Sequence, residues 1–162
     1  MNVRFFLPYR PIPKQSYRAS KFGGYQPKRV TDFKSLVILA AKKAAAEQGW
    51  EKSDGPLLLR LVFKFRCPAS AKKADKEMTR WHIKRPDLDN IEKAITDGLA
   101  PLMGDDSQVC SKISEKIILK MGEVEGVDVL LETLPSYKEH NGNNDTLENA
   151  AEAPDGQRRP VE

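Results

Sequence analysis

Two cysteines, Cys67 and Cys110, are too few for a disulfide framework, and no cysteine and histidine spacing of a zinc motif accompanies them. No apolar run approaches the roughly 20 residues of a membrane span. The opening MNVRFFLPYR sets Pro8 and Arg10 right behind a short apolar stretch and has no small-residue cleavage site, so it is a poor signal peptide. The chain is therefore expected in the cytoplasm, with both thiols free. A phosphate-cradling glycine loop and an internal repeat are also missing, and the glycine and terminal glutamate of an EF-hand are not at their spacings. Acid is absent from residues 1–30 altogether.

That last gap belongs to a larger asymmetry. Residues 1–85 hold 20 Lys and Arg against 6 Asp and Glu, whereas residues 86–134 hold 4 against 11. Within the acidic half, RPDLDNIEKAITDGLAPLMGDD (85–106) carries six carboxylates in twenty-two positions of a chain whose net charge is +4. A basic half beside a compact acidic one suggests a polyanion partner together with something that holds cations.

Length and patterning fit one globular domain over 1–134, followed by a polar tail, 135–162, too poor in large apolar residues to order itself. VRFFL (3–7) reads as a strand closed by Pro8. The proline-rich, basic stretch 8–29 reads as a long loop without regular structure, a length that favours a functional role. Phe33, Leu36, Val37, Leu39, Ala40 and Ala44 keep helical spacing from about Asp32 to Gln48, where Gly49 ends the helix. PLLLRLVFKFR (56–66) reads as a central strand, residues 67–84 as a polar connection, and 109–121 and 126–134 as strands joined in a hairpin through GEVEG.

The acidic segment admits two readings. Pro86 fixes its start, and Asp89 followed by Glu92 makes a capping-box pattern for a helix to about Ala100, which accounts for Glu92. Lys93 could pair with Asp89 and Asp97 at four-residue spacing, worth only about 0.2–0.5 kcal/mol if exposed. Capping leaves Asp87, Asp97, Asp105 and Asp106 unexplained. If the chain folds back after Pro101, Asp105 or Asp106 can meet Asp87 and Asp89, and carboxylates so placed repel unless a divalent cation sits among them. Oxygen donors of this kind suit Mg²⁺ or Mn²⁺. Lys93 would then lie beside the ion, where it can stabilise charge on a phosphate.

Asp87-Leu88-Asp89-Asn90, Lys93, Asp97 and the Asp105-Asp106 pair resemble the core motif of the RusA family of Holliday junction resolvases, closely over 85–109 and more loosely over 3–134. The resemblance implies an α+β fold with a small mixed sheet and two main helices. It also implies a homodimer and a Mg²⁺-dependent endonuclease, Mn²⁺ being a substitute, that cuts four-way DNA junctions to leave 5′-phosphate and 3′-hydroxyl ends. Carried over by position, Asp87, Asp89 and Asp106 match the metal-binding catalytic carboxylates and Lys93 the catalytic lysine. Asn90 is placed to orient Asp87 or Asp106, Asp97 to hold Lys93, and Asp105 to serve the turn or the outer shell.

For DNA contacts the sequence offers two basic groups. Arg10, Lys14, Arg18, Lys21, Lys28 and Arg29 are interleaved with Tyr9, Tyr17 and Tyr25, which suits phosphate contacts and stacking on unpaired bases. Lys72, Lys73, Lys76, Arg80, Lys84 and Arg85 lead into the acidic motif. Trp81 is assigned to core or interface packing, and His82 is not counted as a ligand. Rival readings are a flap or fork nuclease and a branched-DNA-binding protein without catalysis.

Overall fold

The computed structural model describes residues 1–14, 18–20 and 23–135. Its elements are β1 (Asn2–Leu7), β2 (Arg18–Ser20), β3 (Gly23–Tyr25), α1 (Lys28–Gln48), β4 (Leu57–Phe65), α2 (Lys73–Lys76), β5 (Arg80–Trp81), α3 (Leu88–Leu99), two 3₁₀ turns (Ala100–Leu102 and Asp106–Gln108), β6 (Val109–Ile118) and β7 (Gly126–Thr133). The fold is α+β, a five-stranded mixed sheet in the order β1-β7-β4-β6-β5 with two long helices.

β4 is central because its alternation is complete: Leu57, Leu59, Leu61, Phe63 and Phe65 are all buried on one face. Val3 and Leu7 of β1 and Val127, Val129 and Leu131 of β7 join them. Over this face lie Val30, Phe33, Val37, Ala41 and Ala44 of α1 and Ile91, Ala94, Ile95 and Leu99 of α3, both at helical spacing. The two helices meet at Gly98, where an added Cβ would stand 2.5 Å from a Val37 methyl. Trp50 closes one end by donating its indole N–H to the Leu102 carbonyl at 3.0 Å. Gly49, at φ 65°, ends α1 as expected.

Three expectations are corrected. Stretch 8–29 contains regular structure, since β2 and β3 pair with each other and α1 begins at Lys28 behind Pro27, a full turn before Asp32. β6 and β7 form no hairpin, for β4 lies between them, parallel to β6 and antiparallel to β7. Both strands pair along β4, whose one face is buried throughout, and the turn carrying GEVEG crosses its end. The connection 67–84 contains the one-turn α2 and β5, which pairs with β6 at Arg80 and Trp81. The tail expected to be without order lies outside the described residues from 136 on.

Candidate active site

The site is built where α3 begins. Lys116 of β6 donates from Nζ to the carbonyls of Lys84 (2.8 Å) and Pro86 (2.6 Å), clamping the segment that leads into the helix. Asp87 is the N-cap residue, but its side chain caps nothing. The helix therefore starts two residues earlier than the capping-box reading requires, and Asp89 sits inside the first turn. The position three residues after the N-cap is Asn90, so Glu92 has no capping role. It pairs instead with Lys112 of β6 at 3.5 Å.

Asp89, Glu92, Lys93, Thr96 and Asp97 of α3 face Asp106, Val109 and Lys112 across a groove of about 280 Å³. Asp106 reaches it because the chain does fold back after Pro101. The first 3₁₀ turn ends at Leu102, and a capping box between Asp105 and Gln108 shapes the second. The Asp105 carboxylate accepts from the Ser107 N–H at 2.8 Å, and these bonds to Ser107 hold its pKa below the ordinary carboxylate value. Gln108 uses both ends of its amide. Its oxygen accepts from Gly104 N–H (2.6 Å) and Asp105 N–H (2.9 Å), while its nitrogen donates to the Ser53 (2.7 Å) and Gly55 (3.1 Å) carbonyls. The turn that presents Asp106 is thus fastened to the loop before β4. Beyond it the β4–β6 register slips by one residue at Cys110, a bulge at the groove's edge.

Asp87 points elsewhere. It lines a cleft of about 820 Å³ with Asn90, Arg10, Pro11, Ile12, Pro13, Lys14, Arg29, Phe65, Arg85 and Pro86. The wall between cleft and groove is Lys14, whose backbone N–H donates to the Asn90 carbonyl at 2.9 Å and whose Nζ pairs with Asp97 at 2.5 Å. Asp97 therefore holds Lys14, not Lys93. Lys93 is exposed in the groove and makes no ion pair among the described residues, so the pairing with Asp89 and Asp97 is not formed.

The six acids of the segment now divide. Glu92 and Asp97 are paired, and Asp105 is a cap. Asp87, Asp89 and Asp106 are exposed and have no cationic partner among the described residues. Hard oxygen donors left without a counter-charge fit a divalent ion in kind. The structure brings Asp89 and Asp106 to one groove with Asp87 around the helix start, and among the described residues no three ligating side chains are gathered at metal-holding range.

The two basic groups of the sequence are redistributed. Arg10, Lys14, Arg29 and Arg85, taken from both, converge on the cleft. Lys28 pairs with Asp32 at 2.8 Å, and Arg80 donates to the Asp75 carbonyl. Lys72, Lys73, Lys76 and Lys84 line neither cleft nor groove. The Arg18, Tyr17, Lys21 and Tyr25 side chains lie outside the described residues. Trp81 is 65% exposed, which removes the core reading for it. His82 stacks on Phe65 with ring centroids 4.4 Å apart; burial, reinforced by Lys116, lowers its pKa below the ordinary 6.5. Sequence reasoning missed Gln108, Lys112 and Lys116 as site builders. The Asp105 to Gln108 spacing was a capping-box signal that could have revealed Gln108.

An acidic groove joined to a basic cleft at the start of one helix sets exposed carboxylates beside cations that suit a polyanion. The model of the endodeoxyribonuclease RusA family matches residues 8–129, a span that leaves out the first strand and the second half of β7 and includes every residue of the groove and the cleft. The chain belongs to this family of endodeoxyribonucleases, hydrolases that act on the phosphodiester bonds of Holliday junctions and generally depend on a divalent metal. No curated protein matches the chain. No helix among the described residues is long and apolar enough to cross a membrane.

Proposed function

We propose that this protein is a Mg²⁺-dependent resolvase that introduces paired cuts in four-way DNA junctions during recombination and repair in the cytoplasm. One observation carries the residue assignment: of six acids in the segment, only Asp87, Asp89 and Asp106 lack a cap or a cationic partner among the described residues. They are the residues that would hold the ion, Mn²⁺ serving as a substitute. A divalent ion there supplies Lewis acidity toward the scissile phosphate and the attacking water.

The chain's own residues do the rest. Arg10, Arg29 and Arg85 seat phosphates beside the helix start, and Lys93, in the groove and without an ion pair among the described residues, stabilises negative charge on the departing 3′ oxygen. Asn90, whose side-chain nitrogen lies 3.4 Å from an Asp89 oxygen, orients that carboxylate. Asp105 and Gln108 hold the turn of Asp106. Lys14 and Asp97 fix the basic loop to α3. A junction with approximate two-fold symmetry takes two opposed cuts, so the working form is a homodimer with one site per subunit. The domain is 1–134, and the tail is not needed for cleavage.

The test is cleavage of a labelled synthetic four-way junction beside flap, fork and linear duplex controls in Mg²⁺. Symmetric nicks in the junction with 5′-phosphate ends support the reading. Preferred cutting of flaps or forks, or tight junction binding without any cutting, would replace it.

A further inference from the structure

We infer that the basic cleft at the start of α3 binds a single unstacked nucleotide of the DNA substrate, next to the phosphate that is cut. The inference rests on the nuclease reading and adds a base-binding site to it. A surface that only tracks a duplex needs cations spaced along phosphates, because the bases are stacked inside and present no face to the protein. This cleft is built differently. Its rim carries Arg10, Arg29 and Arg85, none in an ion pair among the described residues. Its floor is apolar: Pro11 and Phe65 are buried, and Ile12 packs against the hydrophobic core.

A cleft of about 820 Å³ is of the size that takes a small organic ligand. Guanidinium groups bind phosphate oxygens and also stack on base planes, while the floor accepts a base removed from its helix. The floor is also stiff. Phe65 is backed by the stacked His82 ring, and the Lys14 wall is tied to α3 by its backbone and by Asp97. Asp87 on the rim puts the nucleotide beside the acids assigned to the metal. A branch point is where a base is cheapest to unstack, so the cleft gives selectivity for branched DNA at the cost of one broken stack.

The experiment places 2-aminopurine singly at each nucleotide flanking the crossover of a four-way junction and adds full-length protein with Ca²⁺ replacing Mg²⁺. At one position the fluorescence should rise several-fold on binding, and an abasic site at that nucleotide should weaken binding roughly tenfold. The double variant Arg10→Ala, Arg29→Ala, compared at low salt where it still binds, should lose most of the rise. If wild-type protein binds and cuts the junction but no position brightens, or if the variant brightens it equally, the cleft inference fails and the nuclease reading stands. Failure to bind or cut any branched DNA overturns both.

Discussion

Asp106 and Gln108 are two residues apart, yet one has no cationic partner among the described residues and the other is saturated by four hydrogen bonds. That division of labour makes Gln108 a positioning residue. In Gln108→Leu the turn is released and its amides lose their acceptor, and the Mg²⁺ concentration for half-maximal cleavage should rise about 10- to 100-fold, the usual cost of removing support behind a ligand. Junction binding in Ca²⁺ at high metal should stay near wild type, and Gln108→Glu should restore part of the metal response because its oxygen can still accept from Gly104 and Asp105. Equal loss of junction binding and metal response would mean that the turn has only a folding role. The paired acids behave otherwise. Asp97→Asn removes one half of an ion pair whose side chains are 28% and 26% exposed, so the loss of stability should be no more than about 1 kcal/mol in a denaturant titration.

At the scale of elements, α1 and α3 approach closely because Gly98 has no side chain. Ala is the better helix former by about 0.5–1 kcal/mol, but its methyl would stand 2.5 and 2.6 Å from Val37 atoms, and overpacking of this kind costs about 1–3 kcal/mol. Gly98→Ala should therefore destabilise the fold, and Gly98→Ala with Val37→Ala should recover part of the loss; a stabilised single variant would contradict the packing. The segment after β5 adds a pH response. Because burial lowers the His82 pKa, the unfolded chain binds more protons between the folded value and 6.5. Stability is fully present above pH 6.5 and is lost as pH falls toward the folded value. Thermal melts at pH 7.5 and 5.5 should show this drop in wild type and a smaller one in His82→Leu, which keeps an apolar side chain against Phe65.

Much of this architecture is legible in the sequence where the signal is local. The alternation of 57–65 and the helical stripe of 33–44 follow from burial of one face, and the start of α3 just after Pro86 follows from proline's fixed φ. What lies between elements is not legible in that way. Nothing near Asp97 indicates that its partner is Lys14, 83 positions away, and nothing in GEVEG shows that β4 separates the strands it joins. The charge asymmetry correctly announces acid beside base, but only the folded chain sorts Arg10, Arg29 and Arg85 into one cleft and leaves Lys72, Lys73 and Lys76 out of it. For the whole molecule this sorting predicts a salt response: each of Arg10→Ala, Arg29→Ala and Arg85→Ala should flatten the dependence of junction affinity on log salt by roughly one unit, and Lys73→Ala should change it little. In the proposed mechanism, acids without a cationic partner among the described residues, and not acid in general, hold the catalytic ion. Rates of junction cleavage in Mg²⁺ by wild type, Asp89→Asn and Asp97→Asn, measured side by side, separate the two. Asp89→Asn should lose about 1,000-fold or more, in keeping with the several kcal/mol a metal supplies at a phosphoryl oxygen, and Asp97→Asn should stay within about fivefold of wild type. Equal losses in the two variants, or full activity in Asp89→Asn, would contradict that mechanism.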